Sequence, residues 1–291
     1  MAGTDALVLA SSRPPTAAAP AKTKSGNLLP KLRVYVGYDP RLHLPYQITR
    51  YSMIKRSSFP IEVIPIQQSE LRKANIYTRV RDPSDITEFT LTRFLVPFLA
   101  GFDGWVMFVD SDFLFTGDLR ELAELIDDRY AVMCAKHDYT GKATTLMDGQ
   151  VRGTYPRLNW SSMILFNCSH PKNKILTPEF VGTQPQTYLQ KLMWLEDDDI
   201  GSIPQTWNFL VGHCELPKDN ATLCPKAIHF TEGGPWYDQW KSCQFSDLWF
   251  REQDEFERSQ QVQSDLQDEL VKLMPRTCNM IVYQTKSGVV K

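Results

Sequence analysis

Apolar residues fall along this chain in short blocks of two kinds, and their alternation sketches a fold. Leu32 to Val36, Ile61 to Ile66, Trp105 to Val109, Tyr130 to Ala135 and Ser162 to Asn167 are short, mainly apolar runs, the pattern of strands buried in a sheet. Between them the spacing turns helical. Tyr46 to Arg56 predicts one helix, and Ile86 to Ala100, with Phe89, Phe94, Leu95, Phe98 and Leu99 at helical intervals, predicts a second. Asp118 is placed to cap a third that runs through Ile126. Tyr188 to Leu195 reads as a further helix, and Asp265 to Met274 as one in a polar, Gln-rich tail. Strand, helix, strand, helix, strand is the order of an α/β fold: a single Rossmann-like, mostly parallel sheet with helices on both faces. Ligands of such folds bind at the carboxyl ends of strands, where Gly37-Tyr38-Asp39 and Asp110-Ser111-Asp112 both fall.

Bulk properties narrow the function classes. Hydrophobic content of 42% with 23% charged residues is ordinary for a soluble globular protein. A net charge of −2, with no basic stripe, gives no reason to expect a nucleic-acid partner. No apolar run approaches the roughly 20 residues of a membrane span. Residues 1–30, rich in Ala, Pro, Ser and Thr, read as a disordered leader, residues 31–250 as the catalytic domain, and residues 251–291 as a helical tail. A cytoplasmic location is expected, with a plastid or mitochondrion as the alternative should the leader be a transit peptide.

The chemistry concentrates behind Trp105 to Val109. Asp110 and Asp112 are two residues apart in extended chain, so both carboxylates reach one point, and converging oxygens suit a hard cation such as Mg²⁺ or Mn²⁺. Around them stand three more groups in order: Thr92-Arg93-Phe94-Leu95-Val96-Pro97, Gly117-Asp118-Leu119, and His229-Phe230-Thr231-Glu232-Gly233-Gly234-Pro235-Trp236. Together these resemble the "YxRLLxPEL", "LDSDxxxxGDL" and "HxxGxxKPW" motifs of retaining GT-A glycosyltransferases, the family of glycogenin, galactinol synthase and bacterial lipopolysaccharide galactosyltransferases. The resemblance covers about residues 32 to 240 and implies a GT-A nucleotide-diphospho-sugar transferase fold. It further implies a hexosyltransferase that takes a UDP-sugar donor, with Mn²⁺ or Mg²⁺, to an acceptor of unknown class. Under it, Asp110, Asp112 and His229 hold the metal. Gly37, Tyr38, Asp39, Arg93, Asp110, Ser111, Lys136, Gly233 and Gly234 meet the nucleotide diphosphate.

The chain also departs from that family. The Lys of "KPW" is missing, which leaves Lys136 or Arg152 to meet the diphosphate. The "NAGxxxxN" strand appears as Trp160 to Asn167, so Asp148, Asn159, Trp160, Ser161 and Trp236 are the residues expected at the sugar. Glu196-Asp197-Asp198-Asp199 is the nearest counterpart of the family's "Asp-Gln-Asp", with Asp197 and Asp198 expected to be catalytic. A second enzyme class, the haloacid-dehalogenase-type Mg-dependent phosphohydrolases, also places Asp-x-Asp after an apolar strand, with the first Asp as nucleophile. A non-catalytic nucleotide-sugar-binding module is the third reading.

Overall fold

Burial within the strand Trp105–Val109 decides the layers. Every side chain there is buried, so successive residues must find apolar neighbours on opposite faces of a sheet. Val106 and Phe108 join one core with Tyr35, Val132 and Ile164, while Trp105, Met107 and Val109 join another with Val34, Met133 and Leu165.

The computed structural model describes residues 19–82, 85–137, 144–145, 151–152, 157, 159–215 and 225–273. In chain order the strands are β1 (Ala21–Lys22), β2 (Leu28–Leu29), β3 (Leu32–Tyr38), β4 (Ile61–Gln67), β5 (Trp105–Val109), β6 (Phe113–Phe115), β7 (Val132–Ala135), β8 (Thr144–Thr145), β9 (Val151–Arg152), β10 (Met163–Asn167), β11 (Ile200–Ile203), β12 (Phe209–Leu210) and β13 (Ala227–His229). The helices are α1 (His43–Arg56), α2 (Gln68–Lys73), α3 (Val96–Leu99), α4 (Leu119–Ala123), α5 (Pro178–Thr183), α6 (Gln186–Gln190) and α7 (Ser246–Leu273).

Six strands form the central sheet in the order β11-β7-β10-β5-β3-β4. Strands β4, β3 and β5 are parallel, as are β7 and β11, while β10 is inserted antiparallel between β5 and β7. Helices α1 and α4 cover one face; α3, α5 and α6 cover the other. The expected mostly parallel α/β sheet is therefore present, with one strand reversed. A second sheet, β12-β13-β6, stands beyond the carboxyl end of β5, because β6 starts directly after Asp112. Ile48, Leu114, Ile228, Phe230 and Trp249 fill the space between this sheet, α1 and α7.

Three elements differ from their sequence expectations for physical reasons. The helix expected over Ile86 to Ala100 is reduced to a 3-10 turn, Thr92–Leu95, and the short α3. Pro97 has no N–H to donate and suits only a first turn, so α3 begins one residue before it, at Val96. Helix α6 ends at Gln190, and Leu192 soon after turns left-handed at φ 53°. Ordered structure also begins before residue 30: β1 and β2 pair antiparallel, Ala21 is fully buried, and the Arg120 guanidinium donates to Ala19 O and Pro20 O. Among the described residues no helix is long and apolar enough to cross a membrane.

Candidate functional site

Asp110 and Asp112 flank a tight turn that three neighbours hold in place. Asp110 N–H continues the ladder by donating to Ser162 O at 2.9 Å. The buried Thr49 hydroxyl of α1 shares its proton between Ser111 O and Phe113 O, at 2.9 and 2.6 Å. Phe230 N–H donates to Asp112 O at 3.0 Å. That last bond extends the antiparallel pairing of β13 with β6, in which His229 lies opposite Phe113. The pairing thus carries His229 to Asp112, and its ring stacks on the Phe113 ring at 4.3 Å.

The resulting cluster has the shape of a cation site. Ligand atoms of Asp110, Asp112 and His229 all lie within 4.8 Å of one another. Asn208 sets the protonation of the imidazole. Its amide nitrogen donates to Asn159 O and Ser162 Oγ at 3.2 and 3.0 Å, which turns its oxygen toward His229 Nδ1 at 3.0 Å. An amide oxygen only accepts, so Nδ1 carries a hydrogen, and in the neutral imidazole Nε2 presents a lone pair. Nε2 lies 3.3 Å from Asp112 Oδ1, an atom buried without any hydrogen-bond donor. Two acceptors at that distance repel each other unless a proton or a cation sits between them. A divalent ion fits this donor set: two carboxylates and a neutral imidazole.

Arg93 closes the opposite side. Buried at the 3-10 turn, it reaches Asp110 Oδ1 at 3.0 Å and donates to Ser161 O at 2.8 Å. Its guanidinium also lies against the faces of Phe89 and Phe108. Arg93 therefore holds the carboxylate turn as well as facing the cleft. That cleft is lined by Arg93, Asp110, Asp112, Asn159, Ser161, His229 and Gly233, together with Ile86, Thr87, Phe89, Thr90, Ser162, Gln190, Thr231 and Glu232. Counting its open mouth, it encloses about 720 Å³.

Apart from Gly233, which lines the cleft, the other expected site residues stand back from it and shape it. Gly37 is small because the Phe89 ring packs where a Cβ would be. Asp39 clamps the end of β3 to the next wall: it accepts from Arg41 N, Arg41 Nε, Arg41 NH2 and Glu88 N, all within 3.1 Å. Burial pushes the Asp39 carboxyl up, but the Arg41 and Glu88 hydrogen bonds outweigh it and hold the group below the usual carboxylate range. Tyr38 bonds His43 Nδ1 through its hydroxyl at 3.1 Å. Ser111 is fully buried. Gly234 makes room for the Trp236 ring, which packs on Phe230 and Trp249, while Gly233 adopts φ 142°, open to glycine alone at no strain. Lys136 lies over the Trp160 ring at 5.5 Å, and the Trp160 indole donates to His137 O. Asp148 lies outside the described residues, and of Arg152 only the backbone is described.

The catalytic expectation for Asp197 and Asp198 needs correction. Ile200 pairs with Val132 and Phe166 pairs with Val132, while Met163 pairs with Val109. The start of β11 is therefore at the amino end of the sheet, opposite Asp110. The acidic run forms a 3-10 turn there with a capping box between Glu196 and Asp199. Asp197 is 83% exposed and paired with Arg157, Asp199 is paired with Lys172, and Asp198 is exposed. Sequence spacing could not tell which end of the sheet the run would reach. Conversely, Gln190 and Glu232 in the cleft, and Asn208 behind His229, were not named as site residues from the sequence. Long-range pairing and loop geometry bring them in.

No protein-family model matches the chain. Among curated proteins it is 54% identical over 233 residues to Protein CDI of Arabidopsis thaliana, a match spanning 80% of this chain and 90% of that protein. Two solved structures are similar in fold. The apo-form glycosyltransferase GlyE of Streptococcus pneumoniae TIGR4 has a TM-score of 0.51 at 16% identity over 77% of this chain. The bifunctional glycosyltransferase WbbM has a TM-score of 0.53 at 17% identity over 79%. The chain spans 60% and 51% of the length of those two chains. At such identities the likeness shows the fold, and that fold is GT-A.

Proposed function

Given a chain that belongs to the family of Arabidopsis thaliana Protein CDI and carries the GT-A fold, we propose that it is a metal-dependent glycosyltransferase. It moves a hexose, with retention at the reacting carbon, from a UDP-sugar to an acceptor hydroxyl. One observation carries this reading: His229 Nε2 and Asp112 Oδ1 converge at 3.3 Å beside Asp110, a donor set that suits a divalent cation. Mn²⁺ or Mg²⁺ held there supplies Lewis-acid assistance to the departing diphosphate.

The chain's own residues do the rest. Asp110 and Asp112 are the proposed carboxylate ligands, and Arg93 holds Asp110 in place from behind. The backbone at Gly233 lets phosphate oxygens come close to N–H groups. Asn159, Ser161 and Gln190 line the cleft with polar groups suited to sugar hydroxyls. Lys136, at the carboxyl end of β7, is the cation proposed to substitute for the missing Lys.

The phosphohydrolase reading required a later acidic motif beside Asp110, and Asp197-Asp198 lies at the other end of the sheet. The test is Mn²⁺-dependent release of UDP from UDP-glucose and UDP-galactose in water. Release that stops on chelation agrees with the proposal. Phosphate release from a simple phosphomonoester, with the UDP-sugars untouched, would replace it with the hydrolase.

A further inference from the structure

Besides Asp110 and Asp112, the cleft is lined by one more carboxylate, Glu232, and it belongs to a different arrangement. Glu232 Oε1 lies 2.7 Å from His213 Nε2, with the two side chains 18% and 17% exposed. His213 follows β12, where Leu210 pairs with His229, so the dyad bridges the two strands that deliver the metal ligand. The segment from His229 to Gly233 thus presents an imidazole for the cation and, three residues on, an anion outside the ligand cluster. The imidazole beside Glu232 holds Oε1 and so orients the carboxyl of a residue that lines the cleft, the arrangement of a positioned proton acceptor.

We propose that Glu232, oriented by His213, is the acceptor-side base of this site. The inference rests on the glycosyltransferase reading and deepens it by assigning the group that receives the acceptor's proton. In the step, an acceptor hydroxyl on the same face of the sugar as the departing diphosphate donates its proton to Glu232 Oε2 while its oxygen bonds to the reacting carbon, so the configuration is retained. The bond from that carbon to the diphosphate oxygen breaks, and the electron pair leaves with UDP. With no acceptor added, water takes the same place and the products are free sugar and UDP. Glu232 touches the reacting hydroxyl; His213 is a positioning residue.

The experiment compares wild type with Glu232→Gln, His213→Gln and Glu232→Ala, using UDP-glucose and UDP-galactose with Mn²⁺. Glu232→Gln is isosteric and keeps the metal cluster, so its Mn²⁺-dependent Kd for UDP stays within about twofold of wild type, while kcat for hydrolysis falls by about 10² or more. His213→Gln, which still donates to the carboxylate, loses less than Glu232→Gln. Sodium formate restores part of the turnover of Glu232→Ala, a rescue that a residue needed only for folding would not show. Wild-type turnover by Glu232→Gln overturns the inference, as does a loss in Glu232→Ala that formate cannot repair. A wild-type protein that fails to bind Mn²⁺ and UDP brings down the underlying reading instead.

Discussion

Asn208 makes the smallest decision in the site and one of the most consequential. Fully buried, it spends its amide donors on Asn159 O and Ser162 Oγ and so forces the tautomer of His229. Outer partners of this kind tune metal affinity by roughly 10–100-fold. Asn208→Ala should weaken Mn²⁺ binding by about that factor in a calorimetric titration, whereas the neighbouring exposed Gln205→Ala should leave it alone. Asp39 makes a prediction about acid. Its folded-state pKa lies below its usual 3.8, so in the unfolded chain it takes up protons first as pH falls. The stability it contributes is present above 3.8 and is lost as pH drops through the lower folded value. Denaturant unfolding of wild type and Asp39→Asn should therefore differ most near neutrality and converge at the acid end. At this scale Asp110, Asp112 and His229 were legible from spacing and motif order. Asn208, Gln190 and Glu232 were not, because each comes to the cleft or to His229 through pairing or loop geometry with distant segments.

Elements were legible where local physics decides them alone. β5 occupies Trp105–Val109 as its apolar run predicts, and Asp118 caps α4 by accepting from Arg120 N. What a linear pattern cannot state is direction: the apolar run of β10 gave no sign that it runs against its neighbours, and the acidic run before β11 gave none that it lies at the amino end. Helix α7 is another case, since its apolar spacing near residues 265–274 predicted only a peripheral piece. Its first turns are core. Trp249 is buried against Trp236, and Glu252 receives both guanidinium nitrogens of Arg56 at 2.8 and 2.6 Å. Trp249→Ala should cost about 3–5 kcal/mol of unfolding free energy, the usual range for emptying a large aromatic site. Phe250, 37% exposed one residue on, should cost far less when changed to Ala. Equal losses from the two would mean that α7 does not pack as described.

For the whole molecule, the sheet, the reversed strand and the second sheet have one joint result: residues from five separate segments meet at the carboxyl end of β5. Arg93, Asp110 and Asp112, Asn159 and Ser161, Gln190, and His229 with Glu232 and Gly233 share one cleft. The fold class and the motif order followed from the sequence; the wall opposite the metal ligands depended on the assembled chain. The central claim is that this cleft binds a nucleoside diphosphate through a divalent ion. The measurement that tests it most directly is calorimetric titration of UDP into the protein with and without Mn²⁺, repeated for Asp112→Ala. The account predicts binding that requires Mn²⁺ and disappears in the variant while its thermal unfolding stays cooperative. UDP binding that ignores both the metal and the substitution, or no binding by the folded wild type, would contradict it.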